Sequence, residues 1–183
     1  MTAAALSFCA RGQTLEFESA GLKYQALTRA GLTVMIAALP TRTLGYSIIQ
    51  VAVSNGSGES QEIRPEKFQF RPATGRPVQA LSAIAGVNDV LNRAGRNDVG
   101  RLIGVYEAAI FGNNNLELRH GYEARRKDAM AIGGGTRMRA AAAAAAILLG
   151  SHKLLPGDSN DGAVFFQTSN KPLGAGTIAF EVG

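Results

Sequence analysis

The spacing of apolar residues changes twice along this chain, and this change limits the possible fold more than any other feature. Up to Gly75, apolar and polar residues alternate in short runs that are typical of half-buried β-strands. From Pro77 to Leu149 the apolar residues recur at helical spacing, for example at Leu102 and Tyr106. Strand-like runs return after this segment. The order of the segments therefore predicts an α+β protein.

Many short strands at close spacing favour an antiparallel β-sandwich, here with a large helical insertion at about residues 76–150. We expect the first and last strands to pair, because this closes the sandwich. The third strand is expected to end at Pro40, which lacks the N–H group of a ladder hydrogen bond. The predicted strands are 14–19, 22–27, 32–39, 46–53, 62–65, 67–71, 163–168 and 176–182.

Four helices are predicted within the insertion. The first places Val78, Leu81, Ile84 and Ala85 on one face. The second helix is predicted to have Asp98 as its N-cap and to end at Gly112. The third is predicted to span residues 116–132. The fourth is predicted to have Thr136 as its N-cap and Gly150 as its C-terminal stop.

The segment between the last helix and the following strand contains two turn signals. Pro156 sets φ for one turn and Gly157 supplies the positive φ that a type II turn needs next. Asp161-Gly162 predicts a second turn. The apolar run that follows predicts a core strand in which Val164 and at least one of the two phenylalanines 165 and 166 are buried.

Residues for metal or cofactor chemistry are few. The histidines His120 and His152 are far apart and Cys9 is the single cysteine, whereas a zinc site needs three or four clustered ligands. Residues 158–162 lack the spacing of a calcium loop. The glycines at 133–135 are not followed by the Lys-Ser/Thr pair of a phosphate loop. We therefore predict no catalytic, cofactor-binding or metal-binding residues.

Two other functions stay open at this stage. An enzyme could use polar side chains where the helices meet the sheet, and the candidates are Tyr106, Glu107, Tyr122, Glu123 and Arg126. Alternatively, the helical segment could bind an anion or nucleic acid, since residues 76–139 contain ten Lys or Arg residues and six acidic ones. The acids alternate with the basic residues, which favours a solvated helical face over a nucleic-acid site.

Three segments together suggest a family. They are the strand 46–55 that ends in Val53-Ser54-Asn55, the segment 63–68 (Ile-Arg-Pro-Glu-Lys-Phe), and the segment 153–157 (Lys-Leu-Leu-Pro-Gly) leading to 162–166 (Gly-Ala-Val-Phe-Phe). This pattern resembles bacterial envelope proteins with an immunoglobulin-like β-sandwich. The resemblance implies a periplasmic or cell-envelope location. Together with the strand–helix–strand layout and the lack of catalytic residues, it leads us to expect a non-enzymatic binding or assembly module, with an unknown protein or envelope component as partner.

The N-terminal residues complete the sequence-based expectations. Residues 1–12 are interpreted as a flexible N-terminus or the remnant of an export signal, and residues 13–183 as a single domain. The segment 6–9 is similar to a lipoprotein cleavage site except that Phe8 stands where a small residue belongs. The longest apolar run, 140–149, has about half the ~20 residues of a membrane-spanning helix, so no transmembrane segment is predicted.

Overall fold

A computed structural model describes residues 13–19, 21–43, 45–93, 96–111, 122–131, 134–169 and 171–181. These residues form an α+β structure with mostly antiparallel sheets. The strands are β1 (Gln13–Ser19), β2 (Leu22–Arg29), β3 (Leu32–Thr43), β4 (Tyr46–Asn55), β5 (Gln61–Ile63), β6 (Phe68–Pro72), β7 (Val78–Gln79), β8 (His152–Leu154), β9 (Ser159–Gln167) and β10 (Gly176–Phe180). The α-helices are α1 (Ala83–Arg93), α2 (Arg96–Phe111), α3 (Tyr122–Ala131) and α4 (Thr136–Ile147).

The strands pair into one large sheet and two small ones. The large sheet has the order β1-β2-β3-β4-β9, and all its pairs are antiparallel. The three-stranded sheet has the order β10-β6-β7, and β5 pairs with β8. Strands β4 and β9 carry apolar β-branched and aromatic residues at successive positions, which suits strands buried on both faces.

Both faces of the large sheet carry a hydrophobic core. Ile48 and its neighbour Phe165 cluster with helical residues such as Tyr106. Ile49 and its neighbour Val164 point to the opposite face, where they cluster with β6 and β8 side chains. The β4–β9 pair therefore lies between a helical layer and the small sheets.

Helix α4 is the central helix of the helical layer, since α1, α2 and α3 all pack on it. Its buried face is made of alanines such as Ala140 and Ala144, whose short side chains let neighbouring helices approach closely. After α4, Leu148 turns to an extended conformation and forms a parallel bridge with Ala163 of β9. This bridge joins the helical layer to the large sheet.

Asn55 connects two of the segments that suggested the family. Its buried side-chain amide donates to the carbonyl oxygens of Glu59 (2.8 Å) and Leu154 (3.1 Å), and its oxygen accepts from the Ser57 backbone N–H (3.0 Å). The Gly157 N–H also donates to the Asn55 carbonyl oxygen (2.6 Å). A strand-ending asparagine thus binds the following loop and the Leu-x-Pro-Gly turn together.

The core strand predicted after this turn is confirmed, because Val164, Phe165 and Phe166 are all buried. The turn at Gly157 is also confirmed by its positive φ of 87°. The second turn is wrong, since residues 161 and 162 lie inside β9. Gly162 is needed there because the backbone of residues 148–149 crosses it closely.

Several predicted boundaries are wrong for identifiable reasons. Strand β3 continues through Pro40, because the register with β4 shifts between Ala38 and Arg42. Pro40 lies in this irregular stretch and has no paired residue on β4, so its missing N–H group is tolerated there. Val78 lies in strand β7, so the first helix begins only at Ala83. Strand β8 was not predicted, because its three residues are too few to show a period.

The predicted helix caps are also wrong. Asp98 lies in the first turn of α2, which begins two residues earlier. Gly135 is the N-cap of α4, and Thr136 is the first helical residue. The same helix ends before Gly150, since pairing with β9 draws the chain out of the helix at Leu148.

The expected pairing of the first and last strands is wrong for the described residues, because β1 pairs with β2 and β10 pairs with β6. The predictions on residues 1–12, on 112–121, on 132–133 and on 182 lie outside the described residues. Within the described ranges, no helix combines the length and apolar character needed to cross a membrane.

Candidate functional site

Four of the five residues proposed for a site between helices and sheet lie together. Tyr106 and Glu107 of α2 face Tyr122 and Arg126 of α3. The Tyr122 hydroxyl donates to Glu107 Oε1 (2.9 Å), and Arg126 Nε lies 2.8 Å from the same oxygen. The two tyrosine rings meet edge to face at 5.2 Å. Glu123 points to solvent and is not part of this group.

The centre of this group contains two residues that were not predicted, Asp161 of β9 and Arg125 of α3. The Tyr106 hydroxyl donates to Asp161 Oδ2 (2.8 Å). An Arg125 terminal nitrogen lies 3.5 Å from Asp161 Oδ1, and Arg125 Nε donates to the Ala146 carbonyl oxygen (3.0 Å) near the end of α4. We call Tyr106, Arg125 and Asp161 the buried clasp, since they join α2, α3, α4 and β9.

The pattern that could have revealed Asp161 is a single carboxylate at the start of an apolar strand. Glycine follows it, and Asp-Gly is a common turn pair, so the sequence favoured a turn. In the structure Asp161 is 1% exposed. A buried carboxylate needs a charged or hydrogen-bonding partner, and such a partner can come from any distant part of the chain.

The electrostatics of the group keep its phenols neutral. Burial, with the neighbouring Asp161 carboxylate, raises the pKa of Tyr106 well above its usual range. Burial and the Glu107 carboxylate also raise the pKa of Tyr122. Both hydroxyls therefore act as hydrogen-bond donors at neutral pH. Neither is prepared to act as a base, and Tyr106 is fully buried, so this arrangement suits holding helices to the sheet.

A pocket of about 410 Å³ opens beside the buried clasp, between α2, α3 and α4. We call it the helical pocket. It has two basic residues, Arg126 and Arg139, and polar groups from Tyr122 and Thr136. The remaining lining is apolar and consists of Ile103, Ala129, Met130, Ala140, Ala143 and Ala146.

A second concave surface of about 580 Å³ lies between the large sheet and β10. We call it the sheet groove. Its floor includes Leu27 of β2 and Val34 and Ile36 of β3, and its other wall includes Ile178 and Phe180 of β10. Among the described residues that line it, Arg29 is the single one with a charged side chain.

Within the described ranges, no three His, Cys, Asp or Glu side chains are grouped as metal ligands would be. His152 is exposed on β8. His120 and Cys9 lie outside the described residues.

Comparisons with protein families, with curated proteins and with solved structures found no match to this chain.

Proposed function

We propose that this protein is a non-enzymatic binding or assembly module of the cell envelope, built as an immunoglobulin-like β-sandwich with a helical insertion. In this proposal the large sheet and the β10-β6-β7 sheet are the two layers of the sandwich. The observation that carries the proposal is the sheet groove, which leaves apolar side chains of both layers accessible beside an unpaired strand edge.

The groove exists because the two layers are unequal. Five strands form one layer and three form the other, so the smaller layer ends over β3 and β2. Leu27 is 43% exposed there. An apolar face of a sheet that its own chain leaves partly open is a common feature of protein-binding surfaces.

The edge of β10 supplies hydrogen-bonding groups next to these side chains. Among the described strands, β10 pairs with β6 alone. The N–H of Glu181 donates to the Lys67 carbonyl, and that of Ala73 donates to the Ala175 carbonyl. The odd-numbered residues of β10 therefore form the backbone hydrogen bonds with β6. Because hydrogen-bonded and non-hydrogen-bonded residues alternate in an antiparallel pair, the N–H and C=O groups of residues 176, 178 and 180 point to the open side of β10.

The partner that fits is an extended peptide segment of another envelope protein. Its backbone would pair with β10, and every second side chain would be apolar and enter the groove. An acidic residue of the segment would complement Arg29, for which the described part of the chain shows no ion pair. The class of partner is thus a strand with alternating apolar residues and a carboxylate near one end.

A photo-crosslinking amino acid at Leu27 tests this proposal, with Leu15 as its matched control. Both leucines are exposed on the β1–β2 hairpin, and the register places them on opposite faces of the sheet. In cells of the native host, we expect position 27 to crosslink one protein, at one segment with alternating apolar residues. Crosslinking equally from position 15, or to a segment without this alternation, would refute the proposed mode of binding.

A synthetic peptide of the crosslinked segment then gives the affinity. We expect Leu27→Lys to weaken binding at least tenfold, because a charge enters an apolar contact, and Leu15→Lys to leave the affinity unchanged. N-terminal sequencing of the native protein and cell fractionation test the location. An uncleaved chain recovered from the cytosol would contradict the envelope assignment.

A further inference from the structure

The helical pocket combines an apolar interior with an excess of positive charge. The alanine-rich side of α4 contributes three of its apolar lining residues, and α2 and α3 contribute the others. The volume of about 410 Å³ lies in the ~300–1,000 Å³ range of small-molecule sites. Short alanine side chains create this space, because longer residues at Ala140 or Ala143 would occupy it.

The charge comes from two arginines on different helices, Arg126 on α3 and Arg139 on α4. Arg126 Nε lies 2.8 Å from Glu107 Oε1, and Glu107 is not among the described residues that line the pocket. Arg139 Nε donates to the Gly134 carbonyl (3.1 Å), and within the described ranges Arg139 has no acidic partner. Among the described residues, none that lines the pocket is acidic, so its two guanidinium groups favour an anion.

We propose that the helical pocket binds a small amphiphilic carboxylate, with the apolar part among the alanines of α4 and the carboxylate at the two arginines. Arginine is suited to this contact, since its planar fork can bind a carboxylate through two hydrogen bonds. Met130 at the rim is 72% exposed, and its flexible side chain can adapt to apolar parts of different length. The site is separate from the sheet groove and does not depend on the proposed function.

Titration calorimetry of the full chain with decanoate tests the proposal, and decanol is the uncharged comparison. We expect saturable binding of decanoate that is about tenfold tighter than that of decanol, as for the loss of one charge-assisted contact. Saturation at one molecule per chain supports a built pocket. Equal affinity for the two compounds, or no saturable binding of decanoate, would overturn the proposal.

Two matched pairs of variants locate the site. Arg139→Gln is expected to weaken decanoate about tenfold and to leave decanol unchanged, while Arg137→Gln, exposed on the same helix outside the lining, changes neither. Ala143→Phe fills the pocket and is expected to abolish binding of both compounds. Ala145→Phe lies on the exposed side of the helix and is expected to leave both affinities unchanged. Equal effects within either pair would contradict the site, and the arginine pair decides it if Ala143→Phe does not fold.

Discussion

Replacing Arg125 by methionine tests the role of the buried clasp most directly. The substitution keeps most of the aliphatic volume but leaves the Asp161 carboxylate, which is 1% exposed, with one hydrogen bond from Tyr106. It also removes the hydrogen bond to the Ala146 carbonyl oxygen. The helical layer would thus lose its charged connection to β9.

The expected loss of stability is about 3 kcal/mol. Removing one partner of a fully buried ion pair costs ~3–5 kcal/mol. Losing the arginine costs less here, about 2 kcal/mol, because Arg125 is 33% exposed and the nitrogen–oxygen distance is 3.5 Å. The hydrogen bond to Ala146 adds about 1 kcal/mol.

Urea unfolding followed by circular dichroism measures this loss, and a second substitution shows its cause. Asp161→Asn removes the buried charge while the new amide can still accept the Tyr106 hydrogen bond, so alone it should cost less than Arg125→Met. In the double variant the uncharged amide at position 161 no longer needs a cation, and we expect about 2 kcal/mol of the Arg125→Met loss to be recovered. A double variant no more stable than Arg125→Met alone would refute the argument that an uncompensated carboxylate causes the loss.

Two further predictions concern a backbone crossing and a buried phenol. Gly162→Ala should lower the free energy of unfolding by about 3 kcal/mol and the melting temperature by about 10 °C, because the new Cβ would lie 2.5 Å from the Leu149 nitrogen. Gly150→Ala is the control, since a Cβ there meets open space and the melting temperature should not change. Equal melting temperatures of the two variants would contradict the close crossing. Above pH 10 the unfolded chain releases the Tyr106 proton, whereas the folded chain keeps it because the pKa of this phenol is raised. Between these two pKa values the free energy of unfolding should therefore fall by about 1.4 kcal/mol per pH unit because of Tyr106. Urea midpoints from pH 9 upward should therefore fall less steeply for Tyr106→Phe, and parallel slopes would show that Asp161 and burial do not raise this pKa.

The strands and helices that the sequence predicted well are those with a long and regular pattern. Strand β4 begins at the predicted residue Tyr46, because its apolar run leaves little choice of conformation. Helix α2 carries the predicted face of Leu102 and Tyr106, both of which are buried. Strand β7 was mistaken for helix, since two residues cannot show a period of two and the apolar spacing of Val78 also fits a helix.

The candidate site was predicted in part. Tyr106, Glu107, Tyr122 and Arg126 could be proposed as a group because each lies on a predicted helix near the junction with the sheet. Asp161 could not be added to them, because the local signal of Asp-Gly favours a turn. The hydrogen bond from Tyr106 joins residues that are 55 positions apart, and no local pattern reports such a contact.

The sequence by itself determined the class of structure, the alternation of strand and helical segments, and the burial of the strand after Gly157. These properties depend on periodicity and residue type, which act over a few neighbouring positions. The tertiary structure alone decided that α4 ends at Ile147, that Gly162 lies under a crossing backbone, and that Arg125 and Asp161 meet. It also created the sheet groove and the helical pocket, because the shape of each depends on how far one layer extends over another and not on any single segment.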